Sequence, residues 1–333
     1  MRNEVLKKDF ERIASADYIP WDDLRGKRVF VTGATGLIGG LFVQSLIYIS
    51  KKKRLGLKVV ALVRDMAKAE SLLPPEVELA EGDVLNLIMV DGSIDFVLHA
   101  ACPTASKFFV EHPDETRRTI VEGTRNVLEF VKAKGARMVY LSSMEVYGAC
   151  KRERVAENDL GWLDPGLPRN SYPLGKREAE MLCKSAAGSG IDVVVARPVQ
   201  TFGAGIAKTE NRVFAQFARA AMSGEDIVMK TEGKKAHCYC YTSDCISGIL
   251  TVMLKGTSGE MYNISNEMTF CTIRAMAEML VGTDRVRIEL DSANYPPSTR
   301  MQVKADKLRA LGWHPEIGLR EMYDRLTNWM ELL

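Results

Sequence analysis

The chain has 333 residues, of which 46% are hydrophobic and 26% charged, and its formal net charge is +2. This size and composition suit one large α/β unit, or two closely associated domains, with an ample core. The nearly balanced charge gives no indication of a nucleic-acid partner, and no apolar run reaches the length of a membrane span. The charged N-terminus does not resemble a signal peptide, and the seven scattered cysteines suit free thiols, so we expect a cytoplasmic protein.

Apolar runs alternate with amphipathic segments along the first two hundred residues. An amphipathic helix is predicted over residues 4–15, strands over 28–32, 57–63, 77–80, 95–99, 137–142 and 191–196, and long helices over 113–134 and 172–187. Because the strands are continuously apolar and alternate with helices, the pattern predicts an α/β fold with a doubly wound, Rossmann-type parallel sheet.

The sequence changes in character after residue 200. Helices are predicted over 212–222, 243–254, 273–280, 304–311 and 319–332, with one strand over 239–242. We expect an N-terminal helical extension over 1–24, a Rossmann domain over 25–200 with a returning segment near 237–262, and a smaller substrate-binding lobe over 201–333.

Residues 27–40, KRVFVTGATGLIGG, join a strand, a glycine turn and a helix. Gly33, Gly36 and Gly39 follow the spacing G-x-x-G-x-x-G. Glycines let the backbone turn tightly and approach a pyrophosphate, and the helix N-terminus supplies N–H groups and a positive dipole. This segment therefore predicts a dinucleotide site.

Two adjacent charged residues, Arg64 and Asp65, end the second predicted strand, where such folds contact the adenosine ribose. An acidic residue there binds the ribose hydroxyls, whereas an arginine can bind a 2′-phosphate. Because both are present, the residues leave NAD and NADP open.

Two further segments carry candidate chemistry. The first, SSMEVYG from Ser142, follows the fifth strand, and open parallel sheets place their ligands at that end. In the second, Tyr172 and Lys176 are four residues apart and share a helix face. An ammonium beside a tyrosine hydroxyl lowers its pKa, so Tyr172 is a candidate acid–base group.

A cluster of His237, Cys238, Cys240 and Cys245 raises the question of zinc. Its spacing matches no usual zinc-ligand pattern, and the run alternates like a strand, so we expect no metal.

Taken in order, TGATGLIG, GDV, HAA, EGTRNVLE, SSMEVYG, YPLGK and ARPVQTFGAG resemble the extended short-chain dehydrogenases/reductases of the nucleotide-sugar epimerase/dehydratase family. The resemblance extends over about residues 27–332. It implies a Rossmann-type fold, NAD as cofactor, a nucleotide-diphosphate sugar as substrate and a homodimer.

The resemblance also assigns roles to residues. It implies that Tyr172 is the catalytic base, that Lys176 holds the nicotinamide ribose and tunes Tyr172, and that Ser143 hydrogen-bonds the reacting sugar oxygen, with Glu145 nearby. It implies a cofactor-binding set of Gly33, Thr35, Gly36, Leu37, Ile38, Gly39, Arg64, Asp65, Asp83, Val84, Ala100, Ala101, Tyr172 and Lys176. The implied substrate contacts are Ser143, Met144, Asn211, Arg212, His237 and Arg300.

The chemistry implied by the resemblance begins with oxidation at the sugar 4-hydroxyl to a 4-keto sugar. Return of the hydride then epimerises, loss of carbon dioxide decarboxylates, and loss of water dehydrates. Met144 stands where dehydratases of the family carry an acid, whereas Glu145 is kept. Because a thioether cannot donate a proton, we rank epimerisation first, UDP-glucuronate-type decarboxylation second and 4,6-dehydration third.

Other readings stay open at this stage. Arg64 supports an NADPH-dependent reductase of a keto sugar or another carbonyl compound. A cofactor-binding regulator with a dead site is a further alternative, which the intact Ser143, Tyr172 and Lys176 disfavour. His237 stands where relatives usually carry an arginine on the diphosphate, and Arg212 or Arg300 could supply that charge.

The predicted dimer interface uses two helices. In each, apolar residues form one stripe, and part of that apolar surface is expected to be spare for a second subunit. The stripes are Ile120, Val127, Leu128 and Val131 on the first helix, and Ala179, Leu182, Cys183 and Ala186 on the second.

Overall fold

The computed structural model describes residues 4–291 and 299–333. Its strands are β1 (Arg28–Thr32), β2 (Lys58–Val63), β3 (Glu78–Glu81), β4 (Phe96–His99), β5 (Arg137–Leu141), β6 (Arg154–Val155), β7 (Val193–Pro198), β8 (Gln200–Phe202), β9 (Ile227–Met229), β10 (Ala236–Tyr241), β11 (Met261–Ile264), β12 (Asn266–Thr272), β13 (Val286–Ile288) and β14 (Arg300–Val303).

Its helices are α1 (Glu4–Ser15), α2 (Leu37–Lys53), α3 (Met66–Leu72), α4 (Ser106–Glu111), α5 (Pro113–Lys134), α6 (Ser171–Gly188), α7 (Val213–Ser223), α8 (Thr242–Lys255), α9 (Ile273–Val281), α10 (Asp306–Ala310) and α11 (Leu319–Met330). Short 3₁₀ turns occupy Trp21–Leu24, Met144–Tyr147, Pro168–Asn170 and Thr283–Arg285.

A seven-stranded parallel sheet in the order β11-β7-β5-β4-β1-β2-β3 forms the centre of the molecule. The prediction of a doubly wound parallel sheet is therefore confirmed. The strand order reverses between β1 and β4, and the carboxyl ends on either side of such a reversal form the crevice in which open α/β sheets bind ligands. The glycine turn follows β1 at that point, and the SSMEVYG segment follows β5.

A smaller sheet lies beyond residue 150. It has the order β12-β10-β14-β6, with β8 also paired to β10, and β9 and β13 form a separate pair. After β10 the chain passes through α8 and returns to the large sheet as β11. The sequence predicted only one of these small strands, because most of them are too short to show a periodic pattern.

Apolar side chains fill both faces of the large sheet. One core cluster joins the sheet to α1, α2 and α8, and the other joins it to α5 and α6. Residues of both predicted interface stripes, such as Val127, Val131 and Cys183, are buried in this second cluster within the single chain. The expectation of spare apolar surface there is therefore wrong for those residues, because α5 and α6 bury their apolar faces against each other and the sheet. Met181 of α6 is exposed.

All seven cysteines lie in the described residues as free thiols. Among the described residues, no helix combines the length and the apolar character that crossing a membrane requires.

Candidate active site

The glycine turn is shaped by close backbone contacts. Gly33 has φ of +72°, and a Cβ there would lie 2.7 Å from the carbonyl carbon of Ala100. A Cβ on Gly39 would collide with the carbonyl oxygen of Gly33, so helix α2 sits directly on the turn. Gly36 is exposed, caps α2, and donates its N–H to the Gly33 carbonyl at 3.0 Å.

This turn fits a dinucleotide pyrophosphate. Residues Leu37, Ile38 and Gly39 open α2, and the first N–H groups of a helix have no partner within it. Thr35 is half-buried beside them. Because Gly36 has no side chain, it leaves the first N–H groups of α2 uncovered. The positive end of the helix and its free donors therefore face the crevice beside β1.

The predicted ribose and adenine residues cluster at the ends of β2 and β3. The Asp65 carboxylate accepts the Lys68 N–H at 2.9 Å and so caps α3. Asp83 accepts the Leu85 N–H at 2.9 Å, and its carboxylate lies 3.7 Å from the exposed guanidinium of Arg64. Val84 is buried next to Asp83.

Ala100 and Ala101 continue from β4 and cross behind the turn. The Ala101 N–H donates to the Thr32 hydroxyl at 3.2 Å, and the Ala100 N–H to the Thr32 carbonyl at 3.3 Å. These contacts bring the ends of β1 and β4 together, so Ala100 and Ala101 lie beside the glycine turn at the carboxyl edge of the sheet.

The candidate catalytic groups meet between β5 and α6. Ser143 caps the 3₁₀ turn Met144–Tyr147 and accepts the Glu145 N–H at 3.2 Å. The Ser143 side chain lies beside the Tyr172 hydroxyl, near enough to lower the pKa of that phenol. Tyr172, in the first turn of α6, is buried, and its ring stacks on Phe109 with centroids 4.5 Å apart.

The structure corrects the predicted tuning of Tyr172. Burial raises the pKa of Tyr172 well above its ordinary value, and Cys102 and Glu145 act in the same direction. The neighbouring Ser143 opposes this shift. The predicted lowering by Lys176 does not decide the outcome, because loss of water around the phenol outweighs it.

Lys176 is buried beneath the tyrosine. Its ammonium donates to the Leu141 carbonyl at 2.7 Å and lies 5.8 Å from the centre of the Tyr172 ring and 4.7 Å from that of Tyr140. It therefore joins α6 to the end of β5. The four-residue spacing predicts only that Tyr172 and Lys176 share a helix face, which their contact distance agrees with.

Glu145 has a partner that the sequence did not indicate. Arg169 donates to the Glu145 carboxylate at 2.7 Å, and its guanidinium lies 5.3 Å from the centre of the Phe109 ring. Since Phe109 in turn stacks on Tyr172, Glu145 and Tyr172 are both held against one arginine–aromatic stack. Met144 turns instead into the core, where it is buried.

The predicted substrate contacts are less closely grouped. Asn211 and Arg212 are exposed before α7, and Arg212 pairs with Glu210 at 2.7 Å. Arg300, at the start of β14, pairs with Glu153 at 2.8 Å.

His237 of β10 is buried among these elements. Its Nδ1 has no hydrogen-bond partner within the part of the chain that the structure describes. Burial lowers the pKa of His237 to about 4, and Lys235 acts in the same direction. Within residues 4–291 and 299–333, no group of three or more His, Cys, Asp or Glu side chains could hold a metal ion.

This chain is similar in sequence to a known family and to several known proteins. The NAD dependent epimerase/dehydratase family matches residues 29–265. The chain belongs to this family. UDP-glucuronic acid decarboxylase 6 of Arabidopsis thaliana is 31% identical over 302 residues, covering 88% of this chain and 86% of that protein. UDP-glucuronic acid decarboxylase 1 of Xenopus tropicalis is 28% identical over 91% of this chain and 72% of its own.

Solved structures share the fold. An epimerase of Methanothermobacter thermautotrophicus, Mth375, has a TM-score of 0.77 at 21% identity and covers 100% of this chain and 97% of its own. A double mutant of the dTDP-glucose 4,6-dehydratase DesIV of Streptomyces venezuelae, with NAD and DAU bound, has a TM-score of 0.75 at 21% identity, covering 91% and 97%. The protein is thus an NAD-dependent enzyme of the epimerase/dehydratase type.

In this member of the family, a buried cluster supports the catalytic segment from behind. Arg197 of β7 makes two hydrogen bonds to the Glu180 carboxylate, at 2.8 and 2.7 Å. Glu180 also accepts the Ser142 hydroxyl at 2.6 Å, and Arg197 donates to the Tyr147 hydroxyl at 3.1 Å. Because Ser142 and Tyr147 bracket Ser143 and Glu145, the cluster fixes both ends of that segment.

Three residues near the candidate site were not predicted from the sequence: Phe109, Arg169 and Glu180. Glu180 carried a usable signal, because it follows Lys176 by four residues and Tyr172 by eight and so lies on the same helix face. Phe109 and Arg169 carried none, since their stack forms between segments about sixty residues apart in the chain.

Proposed function

We propose that the protein decarboxylates a nucleotide-linked uronic acid of the UDP-glucuronate type. The observation that carries this proposal is Glu145, kept beside Ser143 and Tyr172 and neutralised by Arg169 at 2.7 Å. The curated relatives named above, which are UDP-glucuronic acid decarboxylases, favour this reaction over the epimerisation ranked first from the sequence.

The proposed reaction assigns a task to each side chain. The glycine turn of Gly33, Gly36 and Gly39 would hold NAD, which would supply the hydride acceptor and donor for the sugar carbon. Tyr172 takes the proton of the sugar 4-hydroxyl, and Ser143 hydrogen-bonds the same oxygen. Because burial raises the pKa of Tyr172, the phenolate needs stabilisation, and Ser143 acts to lower that pKa. We assign Lys176, whose ammonium lies 5.8 Å from the centre of the Tyr172 ring, to the nicotinamide ribose and to stabilising this charge once it forms.

Decarboxylation then follows from the ketone. The 4-keto acid is a β-keto acid, so the bond between C5 and the carboxylate breaks and carbon dioxide leaves. The electron pair passes through C5 into the 4-keto group as an enolate, and a proton is added at C5. We assign Glu145 to this end of the sugar, where it orients the group that donates the proton to C5. Arg169 limits the repulsion between the Glu145 carboxylate and the substrate carboxylate.

Two other reactions define the alternatives. Epimerisation at C4 is the second candidate, because it needs only hydride and proton transfer, for which Tyr172 with the neighbouring Ser143 suffices. Dehydration is third, because Met144 offers no proton and is buried in the core. Arg212, Asn211, His237 and Arg300 are proposed to contact the nucleotide diphosphate sugar.

Product analysis tests the proposal. The protein with NAD is incubated with UDP-glucuronate, UDP-glucose and dTDP-glucose, and the products are identified by NMR. A pentose nucleotide with release of carbon dioxide is expected from UDP-glucuronate alone. Formation of UDP-galactose from UDP-glucose would instead favour epimerisation, and a 4-keto-6-deoxy sugar from dTDP-glucose would show dehydration.

A homodimer through α5 and α6 is a separate proposal, which rests on the resemblance to this family. The predicted stripes are largely buried within the chain, so the apolar surface that remains for a dimer interface consists of exposed residues such as Met181. Light scattering at micromolar concentration tests it. A dimeric mass that Met181→Glu lowers is expected, and a monomeric wild-type mass would contradict it.

A further inference from the structure

Four cationic side chains are predicted substrate contacts or neighbours of Glu145. Arg169 pairs with Glu145, Arg212 with Glu210, and Arg300 with Glu153, each at 2.7 to 2.8 Å. Lys235 is different, because within the described part of the chain its ammonium makes no hydrogen bond or ion pair and feels Glu145 and Arg169 only through space. Arg212 and Arg300, which the sequence suggests as replacements for the missing diphosphate arginine, are therefore already paired with carboxylates.

The fold places Lys235 next to the catalytic groups. It immediately precedes β10, whose first residue, Ala236, pairs with Arg300 of β14 and with Thr272 of β12. Its charge acts on Glu145, Arg169 and His237, so these four side chains are neighbours. Although Lys235 as a whole residue is exposed, partial burial lowers its pKa, and Glu145 opposes that shift.

The charges of this group do not cancel. Arg169 neutralises Glu145, so Lys235 contributes one surplus positive charge. A partly desolvated ammonium without a partner gains most when an anion supplies the missing contact.

His237 gives a second, independent indication of a ligand. Only 8% of this residue is exposed, yet its Nδ1 is buried without a hydrogen-bond partner. Buried polar atoms are nearly always paired, so an unpaired one beside an unpaired cation indicates that a further polar group belongs there.

We propose that Lys235, with Arg169 and His237 beside it, forms the subsite that binds an anionic group of the substrate and thereby selects for it. The inference rests on the proposed function for the class of substrate, a nucleotide sugar. The anion is either the sugar carboxylate or the diphosphate, which present the same chemistry to an ammonium, and the test separates them.

The chain provides a matched control. Lys234 is adjacent, exposed and of the same type, but it pairs with Glu232 at 2.5 Å. Lys235→Met removes the charge while keeping most of the stem, Lys235→Arg restores it, and Lys234→Met removes the neighbouring charge. Comparable thermal unfolding of the three variants with NAD bound shows that each is folded.

Binding is measured without turnover, so that it stays separate from the reaction. The probes are α-D-glucuronic acid 1-phosphate, α-D-glucose 1-phosphate and inorganic pyrophosphate, titrated into protein saturated with NAD. Loss of a charge-assisted hydrogen bond should weaken binding by about 10- to 100-fold in Lys235→Met. Lys235→Arg and Lys234→Met should stay within about twofold of wild type on the same scale.

The pattern of losses identifies the anion. Weaker binding of glucuronic acid 1-phosphate alone would place the sugar carboxylate on Lys235, whereas weaker binding of all three probes would place a phosphate there. Equal binding by Lys235→Met and Lys234→Met, or no binding of any probe by the wild type, would overturn the inference. Failure of the decarboxylation assay with Lys235-dependent binding intact would refute only the proposed reaction.

Discussion

An inner and an outer arginine–carboxylate cluster of the described chain have different roles. The inner cluster consists of Arg197 and Glu180, with side chains 1% and 4% exposed, and their partners Ser142 and Tyr147. The outer cluster consists of Arg12 of α1, which donates to Asp244 of α8 at 2.7 Å and lies 3.1 Å from Glu316.

The outer cluster attaches an additional element to the fold. Arg12 is 18% exposed and Glu316 is 43% exposed, so solvent screens part of this cluster. Asp9 extends it by accepting the Tyr241 hydroxyl at 2.8 Å. Within the described residues, none of these side chains is hydrogen-bonded to Ser143, Glu145 or Tyr172, whereas the inner cluster ends on the segment that carries two of them.

The comparison teaches that similar ion pairs can have separable consequences. Breaking the outer cluster should alter stability alone. Breaking the inner one should alter stability and catalysis together, since a displacement of a catalytic group by a fraction of an ångström is costly.

The largest expected effect comes from two buried tyrosines, one from each region. Tyr172→Phe keeps the ring stacked on Phe109 but removes the hydroxyl, so turnover should fall about 100-fold or more. Tyr241→Phe removes a buried hydroxyl near the outer cluster and should leave turnover within about twofold. Steady-state rates with the accepted nucleotide sugar measure both, with NAD binding retained. Near-normal turnover of Tyr172→Phe would remove Tyr172 from the mechanism.

Neutralising one carboxylate in each cluster gives the next effect. Glu180→Gln leaves Arg197 buried without a compensating charge, so the free energy of unfolding should fall by about 3–5 kcal/mol. Asp244→Asn should cost about 1–3 kcal/mol, because Arg12 keeps Glu316 and partial hydration. Urea unfolding measures both values.

The same pair of variants separates position from stability. At a temperature where both remain folded, Glu180→Gln should lower kcat about tenfold with little change in KM, and Asp244→Asn should leave kcat unchanged. Equal kcat values in the two variants would contradict a positioning role for the inner cluster.

Acid sensitivity should be the smallest effect and should come from the catalytic side. Burial is the main cause that lowers the pKa of His99 to about 3, with Lys176 adding to it, and burial lowers that of His237 to about 4. A histidine in the unfolded chain has a pKa of about 6.5, so below this pH the unfolded state binds protons that the folded state does not bind.

Stability should therefore be fully present above pH 6.5 and be lost as the pH falls. Each histidine contributes a slope of about 1.4 kcal/mol per pH unit between 6.5 and its own folded pKa. Urea unfolding at pH 6 and pH 5 measures the slope. His237→Gln should remove one such contribution, with His314→Gln as the matched control at an exposed position. An unchanged slope in His237→Gln would show that this histidine is not buried neutral.

Much of the cofactor side was predictable because its signals are local. The strand, glycine turn and helix of residues 27–40 are contiguous, and Tyr172 and Lys176 lie on one helix face by their spacing alone. The seven-stranded sheet likewise follows from apolar strands that alternate with helices, although strand ends shifted by one or two residues, as with β7 at Val193–Pro198.

The tertiary structure decided everything that depends on burial or on distant pairing. The small sheet uses strands such as β6, only two residues long, which have no local periodicity. The pKa of Tyr172 is raised because the folded chain excludes water around it, which the neighbouring lysine in the sequence does not reveal. Arg169 reaches Glu145, and Lys235 has no partner among the residues that the structure describes, because segments far apart in the chain meet beside the sheet edge. A sequence supplies these charges, but only the fold determines which of them are neutralised.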